Sequence, residues 1–267
     1  MSPETTDFGS LLDALAREQT GLQTELGNLA TDDWFRPTPA RGWDVRDTVA
    51  HLADIDEIAI DTCTAGPRPL NDFAAQFASP EDTTLWGVLR GRRRSGREVL
   101  TWWEGTSSRE RDVLAGVDAA MRIPWGIGMR RQSLVTARLM ETWAHGQDVV
   151  DGLHAHRAPT DRLRHVAHIG VGARPFSYVA NEREPNEAPV RVELVGPSGD
   201  EWTWGPEDAA DRVTGPALDF CLLVTQRRHR DDLAVVAEGA NADEWLDIAQ
   251  SFAGPPGEGR RPGQFAQ

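Results

Sequence analysis

Lysine is absent from this 267-residue chain: the 28 basic residues are all arginine, set against 42 acidic ones, for a net charge of −14. That field repels a phosphate backbone and argues against nucleic-acid binding. Cysteine is scarce. Cys63 and Cys221 stand outside any paired motif, which excludes a disulfide framework and a cysteine zinc knuckle. No apolar run approaches the roughly 18 residues of a membrane span, and no basic stretch followed by an apolar one opens the chain. These absences predict a soluble, cytoplasmic protein that engages neither membrane nor nucleic acid. No internal repeat is visible. What is present suffices for a core: 39% hydrophobic residues, with ten Trp and eight Phe.

The apolar spacing is helical over most of the first half. Residues 4–30 place Phe8, Leu11, Leu12, Leu15, Leu22, Leu26 and Leu29 mostly at three-, four- and seven-residue steps. A second helix is predicted over about 44–63, with Asp44 as N-cap and Asp47 as the carboxylate of a capping box. The 66–80 loop carries Phe73 and Phe77, candidates for a short lid helix. A third helix covers about 82–104, and its arginine run (Arg90, Arg92, Arg93, Arg94, Arg97) reads as a solvated face or an anion contact. Residues 105–130 read as irregular. A fourth helix spans about 131–151 and stops at Gly152. Four long helices within about 150 residues predict an antiparallel four-helix bundle.

Beyond it, residues 161–183 predict a fifth helix kinked at Pro175. Short strands follow at 190–195, 201–204 and 233–238, with helices at about 215–227 and 243–252. The fold class is mainly α: a bundle over 1–152, a connecting helix and linker over 153–189, a small α+β domain over 190–253, and a disordered Gly/Pro-rich tail over 254–267.

Within the fourth helix, Glu141 and His145 lie a turn apart on one face. His51 lies mid-way along the second helix. Two imidazoles and a carboxylate converging between helices would hold a zinc-like ion and leave a position open. Taken singly, each residue fits better as a hydrogen-bonded core or surface group than as a ligand. Asp148, three residues past His145, is a candidate to orient it. His165 and His168 form an alternative pair without an evident third ligand, and His154 and His156 read as solvated. Cys63 and Cys221 read as small core residues.

The stretch Trp43-Asp44-Val45-Arg46-Asp47-Thr48-Val49-Ala50-His51-Leu52-Ala53 resembles the second-helix signature of the DinB-like and mycothiol-dependent maleylpyruvate isomerase superfamily. Glu141-Thr142-Trp143-Ala144-His145-Gly146-Gln147-Asp148 resembles its fourth-helix signature, in matching order and separation. The resemblance implies a DinB-like metal-binding bundle in which His51, Glu141 and His145 hold a divalent metal, usually zinc. It also implies a sterol-carrier-like C-terminal domain, whose arginine-ended helix residues 215–228 resemble. Arg227 then matches a functional arginine that would clamp a substrate carboxylate; a salt bridge is the plainer alternative. The glycine expected before the arginine pair is Gln226 here.

The chemistry implied is activation of an external thiol, mycothiol, for isomerisation of, or transfer to, a small electrophilic acid such as maleylpyruvate. Two other readings stay open: a thiol-independent Lewis-acid isomerase, cyclase or hydrolase, and a non-enzymatic metal or small-molecule binding protein. A small-molecule substrate and a monomeric or homodimeric state complete the expectations.

Overall fold

A computed structural model describes residues 7–265, and the chain divides between His156 and Arg157 into two compact units. Residues 4–6 of the first predicted helix and 266–267 of the tail lie outside the described part.

The first unit holds α1 (Phe8–Gly27), α2 (Val45–Thr64), α3 (Leu70–Ala74), α4 (Pro80–Gly91), α5 (Gly96–Gly116) and α6 (Arg131–Leu153). The capping box is present: Asp47 N donates to Asp44 Oδ1 at 2.7 Å, and Asp44 N to Asp47 Oδ2 at 3.4 Å. The four long helices α1, α2, α5 and α6 form the bundle around Leu22, Leu26, Val45, Val49, Leu52, Val99, Trp103 and Val149. Gln19 and Gln23 of α1 meet Glu110 and Ser107 of α5, so that pair runs antiparallel. His51 and Asp56 of α2 meet His145 and Arg138 of α6, also antiparallel. Asp56 and Glu57 face Trp103 and Trp102, while Cys63 lies near Glu110, so α2 and α5 run parallel. The parallel pair follows from the α3–α4 crossover, which carries the chain back along α2 before α5 starts: Gly87 lies on Asp54, and Gly91 on Ala50.

Several boundaries differ from the sequence expectation. The predicted 82–104 helix is two helices, broken at Arg92–Ser95, where Ser95 caps α5 with Glu98 at N3. Residues 105–116 are helical, not irregular; Ser107, Glu110 and Leu114 continue the buried face that Trp103 begins. The arginine run is neither solvated throughout nor open to an anion. Arg90 pairs with Asp54 (2.5 Å) and Glu57 (2.7 Å) and lies between the rings of Trp86 and Trp102; Arg92 pairs with Asp47 (2.7 Å). Only Arg93 and Arg97 keep the expected exposure without such a pairing described for them. Phe73 is buried and stacks edge-on against Phe77 and Trp86, so α3 is a packing element of the crossover. Gly152 does not end α6. His154 does, in the left-handed conformation (φ 52°), while Gly152 lets the Pro37–Thr38 backbone pass at a distance a side chain would close.

The second unit contains α7 (Leu163–Gly172), α8 (Arg174–Ala180), β1 (Val190–Val195), β2 (Glu201–Trp204), β3 (Asp211–Pro216), α9 (Ala217–Val224), β4 (Val236–Glu238) and α10 (Ala240–Ile248). The sheet order is β2-β1-β3-β4, with β1 and β3 parallel and both outer pairs antiparallel. The predicted 161–183 helix is split at Ala173, and Pro175 falls in the first turn of α8, where its missing N–H costs nothing. The 153–189 stretch is more than a connector, because α7 packs against α9, with Gly170 against Val224. Residues 254–265 hold no helix or strand, yet they are tied down. Gly263 N donates to both Asp232 oxygens (2.8 and 3.0 Å), and the Arg228 guanidinium lies 4.1 Å from the centre of the Phe265 ring.

Candidate metal centre

The turn before α2 sets one wall of the site. Thr38 N donates to Trp43 O at 2.9 Å, and Pro37 bridges to Asp44, which fixes Trp43 immediately ahead of the helix cap. Its indole ring centre lies 5.3 Å from that of His51 and stacks on His145 at 6.1 Å. His51 comes from the second turn of α2, whose residues on either side are buried. The two imidazoles meet edge-on, with ring centres 4.7 Å apart.

From α6, Glu141 and His145 project on the same face, as the four-residue spacing requires. Glu141 Oε2 stands 3.3 Å from His145 Nε2, and the other ring nitrogen, Nδ1, stands 3.3 Å from Asp148 Oδ2. The side chains of Glu141 and His145 are 27% and 13% exposed, while Asp148 is only 1% exposed. The site is therefore open on the Glu141 side and closed behind His145. Burial by itself raises the Glu141 carboxyl, but the hydrogen bond and charge of His145, together with Arg138 and His51, outweigh it and bring the group down to about 2. Glu141 is accordingly an anion at any physiological pH.

Donor atoms of His51, Glu141 and His145 all lie within 4.8 Å of one another, and among the described residues this is the one such group of three or more His, Cys, Asp or Glu side chains. A tetrahedral ion bound at about 2.0–2.1 Å sets its ligands roughly 3.3 Å apart, so a modest closure of these side chains suffices. The donor set of two neutral imidazoles and one carboxylate is a zinc-type set. The Asp148 carboxylate stands behind Nδ1, on the far side of the ring from the shared space that Nε2 faces. The residues thus fit a divalent ion.

Residues 15–150 match the family described as the mycothiol maleylpyruvate isomerase N-terminal domain, which is half of the chain. The chain belongs to this family. Residues 186–238 of this maleylpyruvate isomerase family member also match a second family, described as wyosine base formation. Relatives from two strains of Mycobacterium tuberculosis, both called uncharacterized proteins, are 44% identical over 261 residues, covering 95% of this chain and 99% of theirs. A solved structure of the mycothiol-dependent maleylpyruvate isomerase is similar in fold, with TM-score 0.59 and 14% identity over 88% of this chain and 96% of that one. A histidine-to-alanine mutant of that enzyme gives TM-score 0.58 at 15% identity.

The other candidates fall elsewhere in the family member. His165 and His168 lie on α7 of the second unit, where Trp204 Nε1 donates to His168 Nδ1 at 3.2 Å, and no third ligand joins them among the described residues. Burial, then the nearby His168, pushes His165 down to about 4, so it is a neutral packing residue. His154 and His156 are exposed, as expected. Burial pushes the Cys63 thiol up to about 11 and Cys221 well above its ordinary value, so neither supplies a thiolate.

Arg227 follows α9 in the second unit. Its backbone N–H donates to Leu222 O and its guanidinium to Thr225 O, closing the helix end. Gln226, standing where the resemblance expects glycine, has φ 58°, the conformation in which glycine is unstrained. Two contributors escaped the sequence reading as parts of the site. Trp43 was visible only as a member of a motif, and Arg138, buried a turn before Glu141, reads as a surface arginine unless its exposure is known.

Proposed function

We propose that this chain is a divalent-metal-dependent enzyme, holding zinc through His51, Glu141 and His145, that activates a low-molecular-weight thiol, mycothiol, for isomerisation of or transfer to a small electrophilic acid such as maleylpyruvate. The observation that carries this reading is the convergence of three donor side chains from α2 and α6 within 4.8 Å. Membership of the maleylpyruvate isomerase family supports the reaction class. A bound zinc supplies Lewis acidity, lowering the pKa of a thiol and stabilising negative charge that develops on a substrate oxygen.

The protein's residues do the rest. Glu141 stays anionic and brings negative charge to a dication. His51 and His145 offer neutral nitrogens, and the buried Asp148 carboxylate, 3.3 Å from His145 Nδ1, favours a proton on that nitrogen and leaves Nε2 for the ion. Trp43 covers one side of both imidazoles, limiting water there and strengthening the electrostatics within. The open Glu141 side leaves room for thiol and acid. Arg227 is assigned the acid group of the substrate, which a planar guanidinium binds through two parallel hydrogen bonds.

Metal analysis of the purified protein beside His51→Ala, Glu141→Ala and His145→Ala tests the centre. One zinc per chain is expected in the parent and under a tenth of that in each variant, with helical circular dichroism retained. Full metal content in all three variants would overturn the assignment. Turnover of maleylpyruvate with and without mycothiol tests the reaction, and equal rates in both would remove the thiol from it.

A further inference from the structure

A second polar cluster lies in the bundle, a helical turn from the candidate metal centre and joined to it through the charge of Arg138. Asp56 of α2, Glu110 of α5 and Arg138 of α6 are each no more than 1% exposed. Arg138 Nη2 donates to Asp56 Oδ1 at 2.6 Å and its Nε to Glu110 Oε1 at 3.0 Å. The outer oxygens are held too: Trp103 Nε1 donates to Asp56 Oδ2 at 3.0 Å, and Gln19 Nε2 of α1 to Glu110 Oε2 at 3.2 Å. Arg111 in turn donates to Gln19 Oε1. All four long helices contribute.

The charges do not balance if both acids are ionised. One buried guanidinium would then face two buried carboxylates, and its field is also drawn on by Glu141. An uncompensated buried charge is costly enough that a group changes protonation instead. Asp56 and Glu110 thus share a single guanidinium, Arg138, so one of the two acids carries a charge with no cation of its own. Glu110 is the better holder of a proton. Each acid receives two donors, but those of Asp56 are the closer: Arg138 at 2.6 Å and Trp103 at 3.0 Å, against 3.0 Å and 3.2 Å at Glu110. The other titratable neighbours add no cation at Glu110: Cys63 is a neutral thiol, and Arg111 reaches it only through Gln19.

We propose that Glu110 keeps its proton at neutral pH, making the Asp56–Arg138–Glu110 cluster a neutral lock across the four helices that loosens as the medium turns alkaline. Burial, then the charge of Asp56, moves the Glu110 carboxyl up to about 8, consistent with this. The sign follows from linkage. A carboxyl whose folded pKa is raised binds a proton that the unfolded chain has already lost, so stability falls with rising pH between the two values and levels off above the higher one.

The test compares unfolding of the full chain with that of Glu110→Gln, whose amide imitates a protonated carboxyl, from pH 5 to pH 9. The parent's unfolding constant, relative to the variant's, is expected to rise roughly tenfold per pH unit over the lower part of this range and to level off near the folded value. Carboxyls common to both cancel in the ratio. A ratio independent of pH would overturn the proposal. Should the variant not fold, carbon-13 spectra of glutamate-labelled parent protein decide. One glutamate carboxyl at the protonated position at pH 7 supports the lock, and all of them at the ionised position refutes it.

Discussion

At the scale of single residues, the sharpest dependence is that of His145 on Asp148. The carboxylate is buried and lies 3.3 Å behind Nδ1, and in the proposed centre it would orient the ring. Asp148→Asn keeps the shape but can present an N–H instead of an acceptor to that nitrogen. It should lower zinc affinity about 10- to 100-fold, as loss of an outer partner does, and competition with a chelating dye measures this. The convergence of the three candidate ligands was legible from sequence, since Glu141 and His145 fall on one helical face by spacing alone and His51 sits in a matching motif. Arg138, Asp56 and Glu110 were not. Charged residues at core positions imitate a solvated face, and only three-dimensional pairing shows that they satisfy one another.

Helix ends decide the next scale. Asp44 closes a capping box with Asp47 at the start of the helix that carries His51. Asp44→Ala should cost about 1 kcal/mol in a urea titration, through loss of the cap, and leave zinc content unchanged. Gln226 presents the opposite case, a side chain in backbone geometry that favours glycine (φ 58°). Gln226→Gly should raise stability by up to about 1 kcal/mol, read as a higher melting temperature. Elements with a clean apolar stripe and a cap, such as α2, were readable. The second half of α5 was missed because Ser107 and Glu110 occupy its buried face. β3 was missed because Arg212 and Thr214 alternate with Asp211 and Val213, and only the neighbouring strands make that pattern a sheet.

For the molecule as a whole, the chain divides at His156–Arg157. The stretch 155–160 has no regular structure and is exposed apart from Arg157 and Thr160, which are half-buried. Brief digestion with a broad-specificity protease should therefore cut first within it, and mass spectrometry of the fragments would place the site; first cuts inside α5 or α6 would contradict this. No helix among the described residues is long and apolar enough to cross a membrane, which agrees with the composition. The division into units was only partly legible, because α7 looked like a connector until its contact with α9 was seen.

The α3–α4 crossover has a kinetic consequence. By making α2 and α5 parallel neighbours, it denies the bundle the simple course of adding one hairpin to the next. α1 packs on α5 and α6, and α2 on α6, so most of the long-helix interfaces join distant parts of the chain. His51 and Glu141 come together only once the chain between them has closed into a large loop. High contact order of this kind slows folding relative to an up-and-down bundle. Metal capture should therefore be a late event, and zinc added to a refolding chain should slow unfolding while leaving the rate of folding nearly unchanged.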